Sequence, residues 1–285
     1  MRFFATRTGI ICAGAIIGLI AGLLALLGNP ANMGVCVACF CRDIAGALGL
    51  HRAGVVQYLR PEIPAFVLGA FAAALTCGEF RARGGSSPVI RFVLGVFAMI
   101  GALVFLGCPW RALLRLAGGD LNAVVGLAAL AVGIGIGVWF LKNGYTLGRS
   151  VKMKTPAGLI MPGVMLGLLI LVFVKPAFLL YSAKGPGSVH APVLISLAAG
   201  LVIGIVAQRS RYCTMGAIRD VILMRDMHLL SGVCAFVLTV FIVNLVSGQF
   251  HAGIAAQPVS HSNHLWNVLG MVLAGLAFAL GGGCP

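Results

Sequence analysis

Charge is scarce in this chain. Only 9% of its 285 residues are charged and six are acidic, while 60% are hydrophobic and the mean hydropathy is +1.07. That composition excludes a water-soluble globule. No Gly-Lys dipeptide occurs anywhere, so there is no Walker A loop and the chain is not itself an ATP motor of that type. The nine cysteines are an odd number and several lie in or beside apolar runs. Extracellular disulfide scaffolds are short, polar and loop-rich, so that class is excluded as well. No second CxxC and no neighbouring histidine pair completes a zinc set, and neither a metal nor a cofactor is expected. The net charge of +14 would suit a polyanion. The basic residues, however, sit in short loops between apolar runs, where they act as topology signals rather than a nucleic-acid-binding face.

What is present is an all-α pattern of apolar runs. Spans are predicted over 9–28, 62–79, 90–107, 121–141, 157–176, 190–207, 229–248 and 265–283, each long enough to cross a bilayer when packed inside protein. The run from Gly9 to Gly28 is long for a cleaved signal and right for a span. Forty glycines suit close helix packing, and Gly14, Gly18 and Gly22 recur every four residues on one face of the first span. Residues 31–50 and 209–225 are too polar and too short to span; they read as re-entrant helices, as does the stretch from Pro109 to Gly118. With a cytoplasmic N-terminus, about two-thirds of the basic residues fall on the inner side, which favours that orientation.

Two cysteine motifs occur twice. Cys-x5-Arg-Asp appears as Cys36 with Arg42-Asp43 and as Cys213 with Arg219-Asp220, 177 residues apart. Gly-Cys-Pro appears as Gly107-Cys108-Pro109 and as Gly283-Cys284-Pro285, 176 apart. Such a register implies an internal duplication and points to a transporter built from repeats. The first repeat occupies 1–145, a connecting span lies in 146–188, and the second repeat occupies 189–285. The odd connector turns the second copy over, giving an inverted repeat with 8–9 transmembrane helices in all. The first repeat continues past its Gly-Cys-Pro with Trp110-Arg111 and an Asp120-Leu121-Asn122 cap, so the second is expected to lack at least one span.

The thiols carry the chemical signal. A neutral S–H is a weak donor, and an apolar surrounding keeps it neutral. A series of such donors, entered from opposite sides, would pass a soft sulfur- or selenium-bearing anion through weak contacts. In each Gly-Cys-Pro the proline sets the thiol at the N-cap of a short helix, beside free N–H groups and positive dipole ends. The plainer reading is that Gly-Pro breaks a span and the cysteine fills space. Cys36-x-x-Cys39 also fits a redox pair, which makes a membrane thiol oxidoreductase the rival class. Arg42 and Arg219 fit either anion attraction or neutralisation by the adjoining aspartates. Cys12, Cys77 and Cys234 lack repeat partners and read as packing residues. Glu79 and Asp226, at span ends, read as solvated.

Asn32-Met-Gly-Val-Cys-Val-Ala-Cys-Phe-Cys-Arg-Asp43, Arg209-Ser-Arg-Tyr-Cys-Thr-Met-Gly-Ala-Ile-Arg-Asp220 and both Gly-Cys-Pro motifs resemble the YeeE/YedE sulfur transport family across essentially the whole chain. The first half is closest to its selenium-transporter subgroup. The resemblance implies an inner-membrane, inverted-repeat protein of about nine spans and no enzymatic activity. It further implies thiosulfate import through cysteine S–H contacts, often with a small cytosolic sulfur-carrier protein as partner. Carried over residue by residue, the relay thiols are Cys108 and Cys284, with Cys36 or Cys39 at the entrance and Cys213 in the matching second-half motif. The crowding of Cys36, Cys39 and Cys41 departs from the family pattern and leaves thiosulfate and a selenium species both open as substrate.

Overall fold

The computed structural model describes residues 3–84 and 86–283. After a 3-10 turn at Phe3–Ala5 the chain forms α1 (Arg7–Leu26), α2 (Val37–Ala47), α3 (Glu62–Thr76), α4 (Pro88–Val104), α5 (Pro109–Ala117) and α6 (Asn122–Lys142). There follow α7 (Thr155–Val174), α8 (Val193–Ser210), α9 (Thr214–Met224), α10 (His228–Val246) and α11 (His264–Gly281). The strand content among the described residues is one two-residue antiparallel pair, β1 (Arg83–Gly84) with β2 (Val151–Lys152).

This is an all-α membrane protein. Among the described residues, seven helical segments are long and apolar enough to cross a bilayer. Large apolar side chains such as Val89, Phe92, Trp139, Ile160, Leu194 and Val246 are exposed around the outside, a surface suited to lipid and not to water. The predicted span at 62–79 is shorter than expected: α3 has 15 residues and rises only about 22 Å, less than a typical hydrocarbon core.

The helices start and stop for local reasons. Thr6 opens α1 by accepting the Gly9 N–H on its hydroxyl at 3.1 Å, the usual N-cap bond. Asp120 accepts the Asn122 N–H at 2.9 Å and so opens α6, as its position before the span suggested. Between α4 and α5 the chain turns through Leu106 in the left-handed region (φ +61°), and between α8 and α9 through Arg211 (φ +57°). These turns divide each long apolar run into a span and a short helix.

Four helix pairs make the frame: α1 on α10, α3 on α8, and α4 and α6 on α11. Glycines set each approach. Gly14 and Gly18 of α1 lie against Gly232 and Phe236 of α10, and Gly200 and Gly204 of α8 against Glu62, Ala65 and Phe66 of α3. Gly101 meets Gly270 between α4 and α11. The element order α1–α2–α3–α4 recurs as α8–α9–α10–α11, and exchanging the two sets carries the α1–α10 pair onto α8–α3 and the α4–α11 pair onto itself. Helix α7, which buries only Met165 and Val172, lies at the edge.

A side chain at Gly18 would place Cβ 2.7 Å from the Phe236 carbonyl, whereas Gly163 of α7 faces open space. Gly18→Leu is therefore expected to destabilise the protein by about 1–3 kcal/mol. Gly163→Leu should leave it unchanged, as measured by thermal melting in detergent.

Candidate thiol site

The site is built from two short helices that begin inside the protein. Cys36 is the N-cap of α2, in extended geometry (φ −100°, ψ 102°), and its sulfur accepts the Cys39 N–H at 3.4 Å. Cys108 is the N-cap of α5 (φ −75°, ψ 173°), with Pro109 at the first helical position. The two caps meet: Cys36 Sγ lies 3.7 Å from Cys108 Sγ. Both thiols are 1% exposed or less and Cys39 is fully buried. All three are free cysteines. Two helix N-termini, each equivalent to roughly half a positive charge, thus converge on a pair of buried sulfurs.

Arginines of α5 complete the surroundings. Cys39 Sγ donates to the Leu106 carbonyl at 3.8 Å, and Arg111 Nη1 lies 3.7 Å from the same sulfur. Arg111 also donates to the carbonyls of Leu106, Asn32 and Val259. One turn on, Arg115 pairs with Asp120 at 2.7 Å, donates to Phe105 O at 2.8 Å and lies over the Phe105 ring. Arg111, Arg115 and Asp120 are all fully buried. Arg115 thus neutralises Asp120, and both arginines satisfy carbonyls around the turn that presents Cys108. Reading them as loop charges that report topology is corrected here: four residues apart on a short helix, they share one face and point it inward. The same correction holds for Arg60, which is buried beside Asp43 at 2.9 Å and donates to Pro186 O and Val189 O.

Arg42 pairs with its neighbour Asp43 at 2.7 Å, and Arg219 with Asp220 at 2.8 Å. Each guanidinium donates two hydrogen bonds to the adjoining carboxylate. The cation nearest a site thiol is Arg111. Glu79, read as a solvated span end, is bound to Arg209 at 2.8 Å and Arg211 at 3.2 Å.

Cys213 repeats the geometry of Cys36. It caps α9 in extended conformation and accepts the Gly216 N–H on sulfur at 3.2 Å. It is half-buried and packs against the cluster that includes Phe105 and Ala112 from the Cys108 segment. Among the described residues its sulfur makes no thiol–thiol contact. Aromatic rings join the two segments: Trp110 of α5 lies 5.6 Å from Tyr212 and 6.1 Å from both Phe66 and Phe236. The second Gly-Cys-Pro thiol, Cys284, lies outside the described residues. Cys12 and Cys77 are partly exposed and Cys234 is exposed, away from the buried thiol cluster. No group of three or more His, Cys, Asp or Glu that could hold a metal ion occurs among the described residues.

No protein-family model matches this chain, and no curated protein is significantly similar to it.

The burial of each ion pair sets its worth. Asp120→Ala would leave Arg115 buried without its counter-charge, at a cost of about 3–5 kcal/mol. Arg219→Ala breaks a pair whose arginine is 33% exposed and should cost less than about 1 kcal/mol. Unfolding by SDS titration in mixed micelles measures both.

Proposed function

We propose that this chain is a membrane importer of a small sulfur- or selenium-containing anion, thiosulfate-like, which it passes between cysteine thiols without covalent chemistry. One observation carries the reading: the thiols of Cys36 and Cys108 meet at 3.7 Å, each at the start of a short helix inside the apolar interior. Such a site offers an anion S–H donors, backbone N–H groups capped only by sulfur, and positive dipole ends. Neutral donors hold the ion without the deep trap of a free ammonium, so it can both enter and leave. Soft, polarizable sulfur suits a soft terminal sulfur or selenium atom on the ligand.

The second half supplies the other end of the path in this proposal. Cys213 caps α9 as Cys36 caps α2, and the helix pairs exchange between halves, as an inverted repeat about an axis in the membrane plane requires. Cys39, within reach of Arg111, serves with Cys36 on the first-half side, and Cys284 is assigned its role from the motif alone. The reading places the protein in the inner membrane with the N-terminus in the cytoplasm and agrees with the resemblance to the YeeE/YedE family. A cytosolic sulfur-carrier protein is the proposed acceptor. Thiosulfate is the proposed substrate, and a selenium species is the alternative within the same mechanism.

The rival oxidoreductase reading pairs Cys36 with Cys39. The thiol adjoining Cys36 in the structure also includes that of Cys108, so a redox cycle would show as an oxidant-dependent loss of labelling at Cys36 together with either partner.

Uptake of labelled thiosulfate by cells lacking other thiosulfate importers tests the proposal, with selenite and selenosulfate as competitors. Cys108→Ala and Cys36→Ala are each expected to abolish uptake while the protein still inserts, and Cys12→Ala to leave it intact. Near-normal uptake by both site variants would refute a thiol path.

A further inference from the structure

The chain has only six acidic residues, and the structure accounts for five of them by a cationic partner or by solvent. Asp43 pairs with Arg42 and Arg60, Glu79 with Arg209 and Arg211, Asp120 with Arg115 and Asp220 with Arg219. Asp226 is exposed and accepts the His228 N–H. Glu62 differs from all of these. It is fully buried at the start of α3, and no basic group among the described residues lies within ion-pair distance. Its Oε1 accepts hydrogen bonds from Asn29 Nδ2 and Ser196 Oγ, both at 2.9 Å, while Oε2 has no partner. A buried oxygen left without a hydrogen-bond partner carries a desolvation cost.

Its neighbours tie it to the thiols and to an entrance. Asn29 Nδ2 donates at 2.9 Å both to Glu62 and to the Gly34 carbonyl, two residues before Cys36, and Asn29 Oδ1 accepts the Ala191 N–H at 2.9 Å. One amide thus links the carboxyl to the segment that sets the Cys36 cap and to the lead-in of α8. A cavity of ≈ 250 Å³ opens beside this junction, lined by Tyr58, Leu59, Lys175, Tyr181, His190 and Val193. Leu59 lies three residues before Glu62, and Val193 three before Ser196 on α8. Val193, on the cavity wall, is thus about one helical turn from Ser196, which donates to Glu62.

From these observations we propose that Glu62 is the proton-binding site that couples transport to a proton gradient. A proton enters from the cavity, converts the Glu62 carboxylate to the neutral acid during inward passage of the anion, and leaves to cytoplasmic water when the site reopens. Asn29 transmits the change to the Cys36 segment, because its amide holds Glu62 and Gly34 at once. The other ionisable groups around the site come from three directions. Tyr58 and the paired Arg60 precede Glu62 on its own segment, Asp43 of α2 binds that arginine, and Lys175, Tyr181 and His190 face the cavity. Burial, with a smaller contribution from the Glu62 charge, pushes the Tyr58 hydroxyl up to about 12, so it remains protonated throughout.

The inference rests on the transport reading, and two measurements separate their fates. Infrared titration of the purified protein in lipid needs no substrate. Wild type is expected to show a protonated-carboxyl band that disappears reversibly as pH rises and that Glu62→Gln lacks. Ser196→Ala, which removes one donor to the carboxylate, should keep the band to higher pH and guards against a misfolded Gln variant. Titrating carboxyl bands that are identical in wild type and Glu62→Gln overturn the proposal. In proteoliposomes, wild type should concentrate labelled thiosulfate under an inward proton gradient. Glu62→Gln should still exchange thiosulfate across the membrane but never raise it above the bath. Accumulation driven by sodium, or retained in Glu62→Gln, also overturns it. If wild type neither exchanges nor accumulates thiosulfate, the substrate reading fails while the infrared result still decides the role of Glu62.

Discussion

The arrangement depends on one constraint: α2, α5 and α9 lie within an apolar bundle, where lipid offers no hydrogen bonds and exposed backbone groups must find partners inside the protein. The chain meets this need with its few polar side chains. Arg111 and Arg115 take the carbonyls of Leu106 and Phe105, where α4 breaks. Arg60 takes those of Pro186 and Val189, and Asn244 that of Ala117 at the end of α5. Buried arginines in a chain so poor in charge are thus structural, and each buried one that pairs with a carboxylate has that carboxylate equally buried.

At the helix starts the same constraint leaves N–H groups that no oxygen-bearing side chain caps. Sulfur takes the capping role at Cys36 and Cys213. A serine or aspartate there would cap more strongly and would compete with an incoming anion for the same N–H groups. A weak cap leaves those donors ready for exchange. Structure and proposed function share this physical origin: a site that must bind and release cannot already be well satisfied.

The same packing pattern occurs twice. Pairs α1–α10 and α8–α3 each cross at glycines, which allow backbones to approach closely where lipid supplies no hydrophobic drive between helices. The shared α4–α11 contact lies between them, with Gly101 against Gly270. The thiol pair of Cys36 and Cys108 comes from the first half alone, and the aromatic group of Trp110, Tyr212 and Phe236 spans from it to the second.

The sequence by itself determined the class and the element order. Apolar runs of span length, the breaks at Gly-Cys-Pro and Cys-x5-Arg-Asp, and the glycine face of α1 are local or periodic signals. Each has its counterpart in the helices, apart from the short α3 and the second Gly-Cys-Pro, which lies outside the described residues. The cap position of Cys108 was legible too, since a proline at the first helical position follows it, whereas the caps at Cys36 and Cys213 emerged only with the bounds of their helices. Partners were not legible. Composition read Arg60, Arg111 and Arg115 as topology charges because a charge in a short polar stretch looks alike whether it faces water or the interior. Only the packing of α5 against the segment after α1 placed Arg111 beside Cys39. Only the meeting of α3 with α8 enclosed Glu62 between Asn29 and Ser196, contacts that span 33 and 134 residues of chain. Such contacts belong to the tertiary structure because burial and pairing are properties of what surrounds a side chain, and sequence periodicity reports only the face it occupies.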